Sequence, residues 1–178
     1  MTPIHHRGYT LVELIVSVAI FSIVMLVVGA AFLALINLDR QARATGDVTT
    51  NLSYVIESME RSIRTGTNYN CGGVGDCWPG GRNSFSFTDA EGRVVSYSLV
   101  VTATKGQVYQ CVSGACLALT DPRIDVENLI FTARGTTMGD TVQPTVVITV
   151  RGIVKPDSRS APVEFVIESG ATQRLIDI

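Results

Sequence analysis

The spacing of apolar residues changes twice along this chain. From Leu14 to Leu38 there are 25 consecutive residues without a charge, and only Ser17, Ser22 and Asn37 are clearly polar. At about 1.5 Å per residue, a helix over this stretch is about 37 Å long, enough to cross a hydrocarbon core of about 30 Å. Buried core helices are rarely this long and seldom apolar all round, so the stretch reads as a membrane segment. Next, Val48, Leu52, Val55, Ile56, Met59 and Ile63 recur at steps of three and four, while Asp47, Asn51, Glu57, Glu60, Arg61 and Arg64 fall on the other faces. That spacing predicts an amphipathic continuation of the same helix, with one stripe facing a core. Gly46 is a candidate bend and Gly66 a candidate stop.

Beyond Gly66 the helical period is gone. Residues 67–81 read TNYNCGGVGDCWPGG, with six Gly or Pro in fifteen, which predicts a loop. Trp78, the only Trp, is expected to cover a sheet edge, with an exposed contact for a neighbour or ligand as the alternative. The period then becomes two. Candidate strands are Ser84–Thr88, Val94–Thr104, Gln107–Cys111, Cys116–Leu119, Ile124–Ala133, Thr145–Val154 and Val163–Ser169. Asp89-Ala90-Glu91-Gly92 and Lys105-Gly106 read as hairpin turns, and Val112-Ser113-Gly114-Ala115 as a third link. The fold class expected is α+β: a long N-terminal helix packed on a C-terminal antiparallel β-sheet.

Composition narrows the function. Charged residues make up 17% of the chain, against about 25% in ordinary soluble domains. After Gly66 there are nine Lys or Arg against eleven Asp or Glu, so no basic bias steers nucleic acid to this part. Its four cysteines are Cys71, Cys77, Cys111 and Cys116. Two close pairs in a tethered domain suggest two local disulfides and an oxidising compartment, with other pairings left open. A zinc site is the rival, but the usual two-to-four-residue ligand spacing fails for the first pair.

No catalytic constellation is present. The only histidines, His5 and His6, lie at the extreme N-terminus. The loop glycines match no phosphate-binding pattern. Asp121, Asp125 and Glu127 are close enough in sequence to suggest calcium, but a solvated turn is the favoured reading. Lys155 and Arg159 are isolated. No enzyme activity, cofactor or metal is therefore expected.

The N-terminus carries the strongest signal. After MTPIHHRG come Tyr9-Thr10-Leu11-Val12-Glu13-Leu14-Ile15, with Glu13 at the head of the apolar run. A carboxylate at the centre of a membrane helix costs about 2.5–3.5 kcal/mol, so one kept near a bilayer calls for a partner or a purpose. The simplest purpose is an interfacial Glu favoured by the helix macrodipole.

Residues 7–40 resemble the type IV pilin superfamily: a short basic leader ending in Gly, an aromatic residue, Thr-Leu-x-Glu, then an apolar stretch. The resemblance implies that prepilin peptidase cuts after Gly8 and methylates the new amino terminus at Tyr9. Glu13 then neutralises that amine, on its own or a neighbouring subunit, and holds subunit register. It implies a leader at 1–8, a transmembrane and filament-core helix at 9–38, its amphipathic continuation at 39–66, and an exported β-rich domain at 67–178. The chain departs from the common pattern in having Tyr9 for the usual Phe, and Ala30 where major pilins usually have Pro. The latter leans toward a minor pilin or a type II secretion pseudopilin.

Partners implied are prepilin peptidase, other pilin or pseudopilin subunits, an inner-membrane assembly platform and membrane lipid, with no nucleic acid expected. The protein is then a single-pass inner-membrane protein whose C-terminal domain lies outside the cytoplasm and which ends in a periplasmic or extracellular filament. Charge counting does not settle that orientation, since Arg7 faces Arg40 and Arg43. Rival readings are a secretory signal peptide cut near Gly29–Ala31, a plain signal anchor, and a pilus-tip binding module such as an adhesin or DNA receptor.

Overall fold

The computed structural model describes residues 8–73, 75–137, 141–154 and 162–174. The described residues form one helix, α1 (Leu11–Thr65), and eight strands: β1 (Thr67–Asn70), β2 (Ser84–Thr88), β3 (Val94–Val101), β4 (Gly106–Val112), β5 (Ala115–Ala118), β6 (Ile124–Arg134), β7 (Thr145–Val154) and β8 (Val163–Thr172). The chain divides into two units, one up to Ala42 and one from Arg43 onward.

In the first unit α1 begins after Thr10, whose hydroxyl oxygen accepts the Glu13 N–H at 3.3 Å as an N-cap, while its carbonyl accepts the Leu14 N–H. Proline, the residue that would break it, is missing from Leu11 to Thr65. Ser17 and Ser22 donate their hydroxyls back to the carbonyls of Glu13 and Val18, so neither is left unpaired on an apolar rod.

In the second unit, Val48, Leu52, Val55, Ile56, Met59 and Ile63 are all buried, as their spacing predicts. Each such side chain removed from water contributes about 1.5–3 kcal/mol. Helical hydrogen bonding runs through Gly46 without interruption, and the Thr50 hydroxyl donates to the Gly46 carbonyl. Gly66 ends the helix as expected: its N–H turns back to Ile63, and a Cβ there would fall 2.3 Å from the Phe87 ring.

The stripe packs on two antiparallel sheets rather than one. β1-β2-β3-β4-β5 form a five-stranded meander and β6-β7-β8 a three-stranded one. An aromatic cluster joins them: Phe85 of β2 and Tyr97 of β3 stack with Phe131 of β6 at centroid distances of 5.4 and 6.5 Å. Hydrogen bonds flank it. Arg82 and Phe131 exchange both backbone hydrogen bonds of an isolated bridge, and the Gly106 N–H donates to the Asp125 carboxylate. Any Cβ at Gly106 would sit 1.9 Å from the Val126 carbonyl oxygen, so only glycine admits this approach.

The expected strands lie within a few residues of those observed, and the turns at Asp89–Gly92 and Ser113-Gly114 are in place, whereas the tight turn expected at Lys105-Gly106 is a four-residue link, Thr102–Lys105, with Gly106 already paired to Val101 in β4. Asp89 closes the first by accepting the N–H groups of Glu91 and Arg93. The main difference is β1, which falls where a loop is expected.

Candidate processing and assembly site

The head of α1 is built from three features. Gly8, Tyr9 and Thr10 precede the helix in non-helical conformation, and nothing lies within 4 Å of where a Gly8 side chain would be. Tyr9 is 85% exposed. Glu13 occupies the first helical turn three residues after the capping Thr10, a Thr-x-x-Glu arrangement at an N-terminus that favours negative charge. Among the described residues no cation lies within 4.0 Å of the Glu13 carboxylate.

Downstream, most apolar residues of the first unit are exposed among the described residues. Leu11, Val12, Leu14, Phe21, Leu26, Phe32 and Leu35 are among many that stay more than half exposed. A rod this apolar and this bare requires lipid or other apolar helices around it. The helix is long and apolar enough to cross a membrane.

A model of the prokaryotic N-terminal methylation motif matches residues 4–29. The chain carries a prepilin-type N-terminal motif. With the long apolar helix and the α+β pilin-like fold, this is consistent with a type IV pilin superfamily member. Comparison with curated proteins and with solved structures finds no match. A pilin-like chain of this kind implies a structural subunit processed by prepilin peptidase and assembled with other pilins.

The remaining expected site residues of the pilin-like chain are spread over its second unit. Cys71 is joined to Cys77 within the loop after β1. Cys111 is joined to Cys116, its facing partner across the β4–β5 hairpin. Cys77 also anchors its loop to β6, its N–H donating to the Ala133 carbonyl. Trp78 lies in a loop bonded to β6, an edge strand of the three-stranded sheet, with the guanidinium of Arg134 of that strand 5.9 Å from its ring centroid, and the ring stays 59% exposed.

Asp121, Asp125 and Glu127 do not converge. Asp121 takes the Arg123 guanidinium at 3.0 Å, which holds its carboxyl below the usual carboxylate range. Asp125 accepts the Gly106 N–H, and Glu127 lies 3.9 Å from Arg151. Met1–Arg7 of the expected leader, with both histidines, and Lys155 and Arg159 lie outside the described residues. The capping role of Thr10 was missed in the sequence, although its Thr-x-x-Glu spacing carried the signal.

Proposed function

We propose that this chain is a minor pilin-type structural and assembly subunit of a type IV pilus filament. The observation that carries the reading is the methylation motif at residues 4–29 laid over an uncovered apolar helix with a single carboxylate at its head. Prepilin peptidase removes residues 1–8, cutting after Gly8, and methylates the amine of Tyr9. That cut leaves a cation one helical turn from Glu13. In an apolar filament core each charge needs its opposite, so Glu13 pairs with the Tyr9 amine of its own or a neighbouring subunit and fixes the register between helices.

The helix at 9–38 serves first as the membrane anchor and then as filament core. Residues 39–66 continue it into the β-rich domain, 67–178, which lies outside the cytoplasm. The two disulfides support that placement, since such bonds persist in oxidising compartments. Ala30, where major pilins usually have Pro, supports the minor position. The same feature favours a second reading, a minor pseudopilin of a type II secretion system. The amount of this chain relative to the dominant pilin in sheared filaments tests the proposal. A ratio well below one is expected, and a ratio near or above one contradicts the minor position.

A further inference from the structure

We propose that the Cys111–Cys116 disulfide is a thiol–disulfide exchange site, opened at Cys116 by an external dithiol while the domain stays folded. The site belongs to the β-rich domain by itself, whether or not the chain enters a filament.

The bond closes nothing that its hairpin leaves open. β4 and β5 are joined by Ser113-Gly114, with φ of 49° and 90°. Two left-handed residues in this place form a type I′ turn, whose twist matches that of the flanking strands. The Leu119 N–H donates to the Val108 carbonyl at 2.8 Å. Antiparallel pairs alternate, so Leu117 with Gln110 and Ala115 with Val112 are hydrogen-bonded pairs as well. Cys111 and Cys116 form the non-hydrogen-bonded pair between them, where side chains stand closest, and their Cα atoms are 3.9 Å apart. Turn and ladder therefore hold the two cysteines opposite each other without the bond.

The other disulfide differs in both closure and burial. Among the described residues no strand ladder spans the loop from Cys71 to Cys77, which their bond closes. Cys71 is 3% exposed and lies in the core. Cys77 is half-buried, and its sulfur accepts the Ala133 N–H at 3.2 Å.

Exchange needs a thiolate that reaches one sulfur along the line of the S–S bond, so access decides which sulfur is attacked. β5 is the outer strand of its sheet, with no strand beyond it among the described residues, and Cys116 is exposed. Cys111 is half-buried in β4, and Ser96 of β3 stands directly opposite it on the far side. The in-line path is open at Cys116 and obstructed at Cys111. From Gly106 to Thr120 the chain has no charged residue, so an anionic thiolate meets no carboxylate on this hairpin. Its attack joins the external sulfur to Cys116 Sγ and breaks the bond to Cys111, which leaves as a thiolate and takes a proton from water. The second thiolate of the reagent then displaces Cys116 and closes the reagent's own disulfide. Two electrons pass from the dithiol to the pair, and two thiols remain facing each other across the ladder.

The test uses the full processed chain in detergent micelles, with dithiothreitol as the dithiol and glutathione as a monothiol. Timed alkylation with peptide mapping should show Cys111–Cys116 opening at least tenfold faster than Cys71–Cys77. Near-UV circular dichroism should keep the signal of the oxidised domain through this first phase. Removing the reagent should restore Cys111–Cys116 with no crossed pair. Glutathione stops at the mixed disulfide, which rapid alkylation should trap on Cys116 at least tenfold more often than on Cys111. Equal rates for the two bonds, earlier opening of Cys71–Cys77, a mixed disulfide mainly on Cys111, or loss of the near-UV signal with the first bond overturns the inference.

Discussion

The Tyr69 hydroxyl donates to the Ile63 carbonyl at 2.5 Å, tying β1 to the last turn of α1. Carbonyls at a helix C-terminus lack the usual intrahelical partners, and the Ile63 carbonyl takes two donors instead, this phenol and the Gly66 N–H at 3.0 Å. Tyr69→Phe removes one of the two and leaves the Gly66 bond, at a cost of about 0.5–1.5 kcal/mol in urea unfolding.

Burial pushes the Tyr69 phenol up, and it does the same to Tyr97, whose oxygen accepts from the Gln110 amide at 3.0 Å. Both ionise at higher pH in the fold than in the unfolded chain, where they ionise from about pH 10. The stability this contributes is complete below pH 10 and is lost as pH rises from there toward the folded values. Alkaline unfolding curves should show the loss, and Tyr69→Phe should reduce its slope.

Met59 and Ile63 have no exposed surface, and Met59 sits mid-stripe on α1. Met59→Ala is expected to destabilise the domain by about 2–5 kcal/mol through lost burial and a residual cavity. Tyr54→Ala, on the exposed face of the same helix, should change stability by no more than about 0.5 kcal/mol. Equal effects from the two would mean that the stripe does not face a core.

How legible was this architecture in the sequence? The stripe from Val48 to Ile63 was fully readable, because a period of 3.6 states directly which face is covered. Strand positions were readable for the same reason at a period of two. The division into two sheets was not, since alternation says which face is buried and nothing about which strands share hydrogen bonds. β1 was hidden because Thr67-Asn68-Tyr69-Asn70 has one apolar residue and a positive φ at Asn68, and its strand character comes from pairing with β2. The place of Trp78 at a sheet edge was readable, while which strand it meets was not, since a turn held by Cys77 and Gly81 sets it beside Arg134 of β6. In the candidate site, Gly8, Tyr9 and Glu13 were legible as a motif.

Peptide mapping without reduction should recover Cys71 with Cys77 and Cys111 with Cys116. Loops this short limit each bond to about 2 kcal/mol. Cys111→Ser with Cys116→Ser should therefore lower stability by that amount or less, since β4 and β5 also pair through their backbones. A crossed set of bridges, or four free thiols, would contradict the structure of the domain.

Glu13→Gln keeps the size of the side chain and the Thr10 cap while removing the charge. Processing after Gly8 should continue, but recovery of the chain in sheared filaments should fall at least tenfold, because the Tyr9 amine is left without a counter-charge in an apolar core. Unchanged recovery would show that Glu13 does only the work of an interfacial helix start.

The central claim is that the motif at the head of α1 is a processing signal, and the intact mass of the membrane-extracted protein tests it most directly. In a cell with active prepilin peptidase the mass should correspond to a chain starting at Tyr9 with one added methyl group. A Gly8→Val variant should instead retain Met1–Gly8. A wild-type chain that still begins at Met1 in that cell, or one cut near Gly29–Ala31, would contradict the account.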